Sequence, residues 1–518
     1  MLNPVRRVIL GLSGFPKERC APLSALLVSL IAFCGCAPAP ESKTASAVEI
    51  GSAPQIFVDN VLIDRMDGVV KALGRPAKLR ENPVIKPDRP WEGYLALQPG
   101  TATYDPQEQI FKIWYNSLAT TAKPGIEEYL CYATSRDGIT WEKPNLGLVE
   151  YKGSKDNNIL LKWSYWTHSV LQDPHDSDAN RRYKLAYWQT HDRSKCGIWV
   201  AFSPDGIRWT DEPANPVVPC AVSGDTFSVL QDPATKQFIL YHKSIIRPIR
   251  KVARLVSDDF VHWRDSRLVL EPDQYDNPDT EFYGMSGFPY GGQQLGLVWV
   301  FHTYTQFMDM QLASSRDGLK WERAMGRRLF FPLGFMVNQY GGRSFDSGMV
   351  WPANAPTIKD DELWIFYSGF SNVHNELSEE HDGQIGAAKM RLDGFVSLEA
   401  TSEGSIVTQP IRFKGSTLTV NAATRSFTKD GVEPNPVWKD LFTGAPDGLG
   451  WVRVEIQDEQ GAALAGYEAA NCELIRGDSV DLQVAWKDGK TLSALAGRAV
   501  RLKFLLANAS LYSFKVGE

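Results

Sequence analysis

The sequence predicts an all-β chain, a five-bladed β-propeller followed by a C-terminal β-sandwich, and three observations carry that expectation. The first is a recurring Ser-x-Asp-Gly-x-x-Trp unit, seen at Ser135–Trp141, Ser203–Trp209 and Ser315–Trp321. A degenerate copy runs Ser257–Trp263 with Phe260 in place of Gly, and an echo at Asp393-Gly394-Phe395 lacks the Trp. The chemistry is that of a hairpin: Asp-Gly supplies the tight turn, Ser and Asp bond nearby backbone, and Trp packs between sheets. The second is a turn followed by an aromatic strand before each unit, as in Ile110–Tyr115, Tyr183–Trp188, Phe238–Tyr241, Leu297–Phe301 and Leu363–Tyr367. The third is a change of rhythm after Phe395.

The Trp-to-Trp intervals are 68, 54 and 58 residues, with 74 more to Phe395. That length holds about four strands of five to six residues plus loops, and radial repetition hides the sheet edges that so many strands create. The segment Ile56–Ile63 is a strand suited to closing the ring. Past 397, alternating stretches at Gly450–Ile456, Val480–Trp486 and Val500–Leu506, separated by Gly, Asp and Asn turns, read as a separate sandwich. The expected division is an export leader at 1–36, a tether at 37–52, the propeller at 53–396 and the sandwich at 397–518.

The leader carries Arg6, Arg7, Lys17 and Arg19 ahead of an apolar run from Leu23 to Phe33, too short to span a bilayer comfortably. Ile31–Cys36 resembles a bacterial lipoprotein box, with Phe33 where Leu is usual and Cys36 as the lipidated residue. The expectation is therefore an exported protein, anchored in the cell envelope by lipid, touching the membrane through that anchor alone. Without residues 1–36 the chain holds 51 basic and 60 acidic side chains, a net charge of −9. With no basic stripe, the charge argues against nucleic acid. Cys131, Cys196, Cys220 and Cys472 are widely spaced and lack metal-ligand neighbours, which argues against structural zinc. One disulfide is compatible with export, and sequence alone does not assign it. No cofactor is expected. The acidic run Asp173–Asp178 offers calcium-ligand chemistry without an EF-hand loop.

With Ser-x-Asp-Gly-x-x-Trp repeated, and with phrases such as Ile56-Phe57-Val58-Asp59, Tyr151–Asn158 and Thr280–Met285, the chain resembles the five-bladed propellers of glycoside hydrolase families 32, 43 and 68 and their bacterial relatives. The C-terminal region is similar to the module that follows the propeller in family 32. The resemblance spans roughly 53–518 and implies a carbohydrate substrate. Three departures matter. The repeat is not the sialidase Asp-box, the family 32 Trp-Met-Asn-Asp-Pro-Asn-Gly block is absent, and Asp105-Pro106, Asp173-Pro174 and Asp232-Pro233 fall at far turns rather than where family 43 places its base.

Glycoside hydrolysis needs two carboxyl groups flanking the scissile bond, one protonated and one ionised. In this architecture they project from the starts of innermost strands. Asp225, Glu281 and Asp346 stand before the third, fourth and fifth inner strands, and Glu92 stands beside Trp91 before the first. Glu281, flanked by Phe282 and Tyr283, is the expected acid, and Asp225 the expected ionised partner. His168, Trp166, Tyr283, Arg343 and Trp91 are candidate sugar contacts. The leading expectation is an exported glycoside hydrolase. A non-catalytic carbohydrate-binding propeller and a glycoside phosphorylase or transferase are the competing readings, and basic residues at the axial pocket would favour the phosphorylase.

Overall fold

The computed structural model describes residues 47–92, 95–118, 128–162, 165–190, 192–244, 248–336, 342–375, 383–424 and 450–518. Cys36 and the leader lie outside these residues, as does the tether up to residue 46. Alternating apolar and aromatic runs become antiparallel strands grouped in successive units. The first comprises Leu95–Asp105, Ile110–Leu118, Glu128–Ser135 and Ile159–Lys162. The second comprises Tyr165–Gln172, Tyr183–Gln189 and Gly197–Ser203, with Thr210–Asp211 and Val218–Pro219 on its outer edge. The third comprises Ser223–Gln231, Phe238–Ser244, Val252–Ser257 and Arg264–Leu270. In the fourth, Thr280–Tyr290, Gln293–His302 and Met308–Ser315 are edged by Glu322–Arg323 and Leu329–Phe331. In the fifth, Met349–Pro352 and Thr357–Lys359 pair with Glu362–Phe370, which pairs with Gln384–Arg391. The parallel bridge Met308–Met349 joins these last two units into one sheet.

The first strands of the first four units touch in succession, the fourth unit meets Met349–Pro352 of the fifth through Gln293–His302 and Met308–Ser315, and Leu95–Asp105 meets both Tyr165–Gln172 and the fifth unit's Met349–Pro352 and Glu362–Phe370. The contacts return to their start, as in a propeller. The repeated turns lock neighbouring units together. Ser135 Oγ accepts from Gly138 N at 2.8 Å, and Asp137 Oδ1 accepts from Ile139 N and Thr140 N at 2.8 and 2.7 Å. The same bonds recur at Ser203/Asp205, Ser257/Asp259 and Ser315/Asp317. The pivot is left-handed in each copy, with φ of 74° at Gly138, 75° at Gly206, 70° at Phe260 and 68° at Gly318. Each turn lies against the preceding unit: Gly206 O accepts from Trp114 Nε1, Gly318 O from the Tyr241 hydroxyl, and Gly138 rests on Trp364 of the fifth unit. At the far turns, Asp105 and Asp232 accept backbone N–H bonds from Gln107 and Ala234, a structural duty.

Ring closure differs from expectation. The outermost strand of the fifth unit is completed by Ala77–Lys78, whereas Gln55–Ile56 and Ile63–Asp67 pair with C-terminal strands. Residues 56–62 are apolar on both faces: Ile56 and Val58 pack on the propeller, Phe57 and Leu62 on the C-terminal core. A segment with two apolar faces is best buried between two bodies, not on a sheet edge. The C-terminal strands form one sheet whose long member, Arg501–Gly517, bends at Asn508 (φ 44°). Its first half pairs with Trp451–Gln457 and its second with Thr417–Thr424, and both halves face one core containing Val454, Phe504, Val420 and Phe514. Asp393, the residue of the Trp-less echo, is buried and accepts from Tyr290, Asn421 and Ser513, tying propeller to sandwich.

Candidate active site

The inner strands of the first four units share an irregularity at their starts. Register shifts fall between Leu95 and Gln98, Tyr165 and His168, Ser223 and Phe227, and Phe282 and Gly284. A bulge frees residues from the ladder and re-aims their side chains. In the third unit the shift leaves Asp225 out of the regular pairing, and in the fourth it turns out Tyr283.

The Tyr283 ring is the meeting point. Lys243 Nζ lies 4.3 Å from the ring centroid and is ion-paired with Asp225. The Arg250 guanidinium lies 5.0 Å from the same centroid and is ion-paired with Glu281. His374 Nε2 is 3.1 Å from the Tyr283 hydroxyl. Burial holds His374 below the ordinary histidine range, and the neighbouring Arg250 and Lys243 charges push the same way against the Asn375 hydrogen bond. Behind Tyr283, Trp351 stacks at 6.4 Å and Trp299 stacks on Trp351 at 5.9 Å, giving the cluster a rigid aromatic floor. Beside it opens a cavity of about 400 Å³ lined by Trp188, Thr190, Cys220, Ser223, Gly224, Asp225 and Lys243. An aromatic wall, hydroxyls and a carboxylate–ammonium pair suit a polar, ring-shaped ligand.

Of the residues expected in the site, Asp225, Glu281 and Tyr283 are thus brought together. Glu281 departs from expectation in its surroundings: it is ion-paired with Arg250, not set against apolar groups that would keep it protonated. Asp346 belongs elsewhere. It is buried, accepts from Lys78 at 2.6 Å and Tyr367 at 2.9 Å, and lines a separate cavity of about 490 Å³ with Asn82, Phe335 and Phe345. Arg343 is exposed and directly precedes Ser344, which lines that second cavity. Glu92 is a buried latch within the first unit: its carboxylate accepts from the Tyr115 hydroxyl at 2.7 Å, Lys143 at 2.8 Å and the backbone of Asp88 and Arg89. Trp91 donates to Asn158 at 2.8 Å beside it. His168 is fully buried against Gly100, with Nε2 2.9 Å from Trp114 O, and burial pushes it down to about 4. Its ring is held against the first unit's Gly100 and Trp114. The side chain of Trp166 lies outside the described residues. Asp173 and Asp176 of the acidic run are both paired with Lys184.

Lys243, Arg250 and His374 were not among the expected site residues. Lys243 stands one residue before the end of Phe238–Ser244 and Arg250 two residues before Val252–Ser257, a pattern that marks them only once the hairpin's orientation is known. His374 carries no local signal.

No family model matches the chain, and no curated protein sequence does. Solved structures resemble it in fold. A β-1,2-mannobiose phosphorylase from Listeria innocua is 13% identical with a TM-score of 0.44, covering 62% of this chain and 98% of its own. A GH130 structure described as targeting β-1,2 mannosidic linkages in Candida mannan is 15% identical with a TM-score of 0.41, covering 62% and 94%. A fructofuranosidase from Schwanniomyces occidentalis is 10% identical with a TM-score of 0.40, covering 86% and 98%. Likenesses this distant transfer neither substrate nor mechanism.

Proposed function

We propose that this is a carbohydrate-active enzyme that breaks a glycosidic bond at the Tyr283 cluster, on a propeller of five blades. The observation that carries the reading is the convergence on one aromatic ring of Lys243 and Arg250, paired respectively with Asp225 and Glu281 from adjacent units, beside a cavity walled by Trp188. Hydrolysis asks one of these carboxyl groups to donate a proton to the leaving oxygen while the other acts as base or nucleophile. The donor role is assigned to Glu281, whose side chain is 12% exposed against 33% for Asp225. Asp225, at the cavity wall, is the base.

Phosphorolysis is the second reading, and Lys243 and Arg250 favour it. Two cations flanking one ring can hold a phosphate oxyanion by charge-assisted hydrogen bonds. Phosphate then supplies the nucleophile, and the protein needs only a proton donor. A glycan and chromogenic-glycoside screen, run with and without phosphate, separates the two: hydrolysis proceeds without phosphate, phosphorolysis requires it. In the active assay Asp225→Asn and Glu281→Gln should each lose about 10²–10⁴-fold in rate with the fold intact by circular dichroism. Full activity in both variants rules out the cluster as the site. Binding of a glycan with no turnover of any substrate supports a carbohydrate-binding role instead.

Export with lipidation at Cys36 is part of the same proposal, motivated by the leader and by Gly35-Cys36. Mass spectrometry of membrane-extracted protein should find a diacylglyceryl Cys36 at the mature N-terminus. A soluble product beginning elsewhere removes the lipid and leaves export standing.

A further inference from the structure

We propose that Cys196 and Cys220 form a disulfide that clamps the segment bearing Asp225 to the second unit's sheet. Gly197–Ser203 pairs antiparallel with Val218–Pro219 in the register Gly197 to Pro219 and Ile198 to Val218. One step further sets Cys196 opposite Cys220, and Cys220 N donates to Cys196 O at 3.0 Å, so the pairing extends to the two cysteines. Directly opposed residues in an antiparallel pair have Cα atoms about 4.5–5.5 Å apart, inside the roughly 4.4–6.8 Å that a disulfide spans. Access is also suitable: Cys220 is exposed and Cys196 half-buried, whereas Cys131 and Cys472 are buried and separate.

The place of this pair gives it consequence. Cys220 lines the same cavity as Asp225 and Lys243, and only four residues separate Cys220 from Asp225. Val222 packs into the core shared by the second and third units, and Val222 N bonds Pro219 O at 2.8 Å. A covalent link at Cys220 therefore fixes the start of the segment whose end presents Asp225 to the site. The oxidation is a two-electron step driven by a low-molecular-weight disulfide. Two S–H bonds break and one S–S bond forms in the protein, and the two electrons and two protons convert the oxidant's disulfide to two thiols.

The test uses the purified chain, equilibrated across a series of oxidised and reduced glutathione mixtures, quenched with a thiol alkylator and mapped by mass spectrometry. The expected result is a single two-electron transition in which Cys196 and Cys220 lose alkylation together and their peptides run as a linked pair, with Cys131 and Cys472 remaining thiols. Amide exchange over 219–225 should be slower in the oxidised form, and this difference should vanish in Cys220→Ser. If both residues stay alkylatable at the oxidised end, or Cys220 carries glutathione while Cys196 stays free, the proposal is overturned. The titration of the unmodified protein decides the bond without any variant.

Discussion

Glu128 shows how one buried group sets a pH response. It opens the third strand of the first unit, and burial pushes its carboxyl up to about 8 from 4.5. The folded state binds this proton more tightly than the unfolded chain does. The stabilisation is therefore complete below about pH 4.5 and is lost as pH rises toward 8, where folding must hold an ionised carboxylate out of water. The full difference is on the order of 4–5 kcal/mol. Thermal unfolding should show the wild type losing stability from pH 5 to pH 8.5 more steeply than Glu128→Gln. Equal slopes would mean that Glu128 ionises freely in the fold. Among the site residues, Asp225 and Glu281 were legible because each stands at the start of an inner strand. Their cations were not legible, since an ion pair depends on where a second strand ends.

The repeated turn is the element that most clearly separates backbone preference from packing. Phe260 occupies the left-handed position that Gly holds in the other three full copies. A non-glycine residue there costs about 1–2 kcal/mol. Yet the ring is fully buried between Phe202, Phe238 and Trp263, and removing such a side chain costs about 3–5 kcal/mol. Packing wins. Phe260→Gly should destabilise the protein by about 1–4 kcal/mol although it restores the common motif, and urea unfolding followed by tryptophan fluorescence measures it. A more stable variant would show that the left-handed strain outweighs the core. The aromatic spacing that identified these turns lies within seven residues, so it was readable. The ring-closing strand was misplaced because Ile56–Ile63 and Ala77–Lys78 both have strand character, and only the burial of both faces of the first distinguishes them.

For the whole molecule, propeller and sandwich are joined by more than a linker. Phe57 and Leu62 enter the C-terminal core, Ile63–Asp67 pairs with Val396–Thr408, and Asp393 bonds groups on both sides. Ending the chain at residue 396 would expose that apolar strip and leave Asp393 without Asn421 and Ser513. Such a truncation should aggregate or unfold at low temperature, while the full chain melts as one transition in calorimetry. A soluble, cooperatively folding 1–396 fragment would show the two parts to be independent.

Sequence by itself determined what local chemistry can determine: the all-β class, the hairpin turns, the units they punctuate, and two carboxylates at strand starts. Tertiary structure decided which carboxylates share a site. Glu92 and Asp346 satisfy the same local description as Asp225 and Glu281, but Lys143, 51 residues away, captures the first, and Lys78, 268 residues away, captures the second. A carboxylate's role follows from the charges and solvent around it. Those neighbours come from distant strands that only the closed ring brings within a few ångströms.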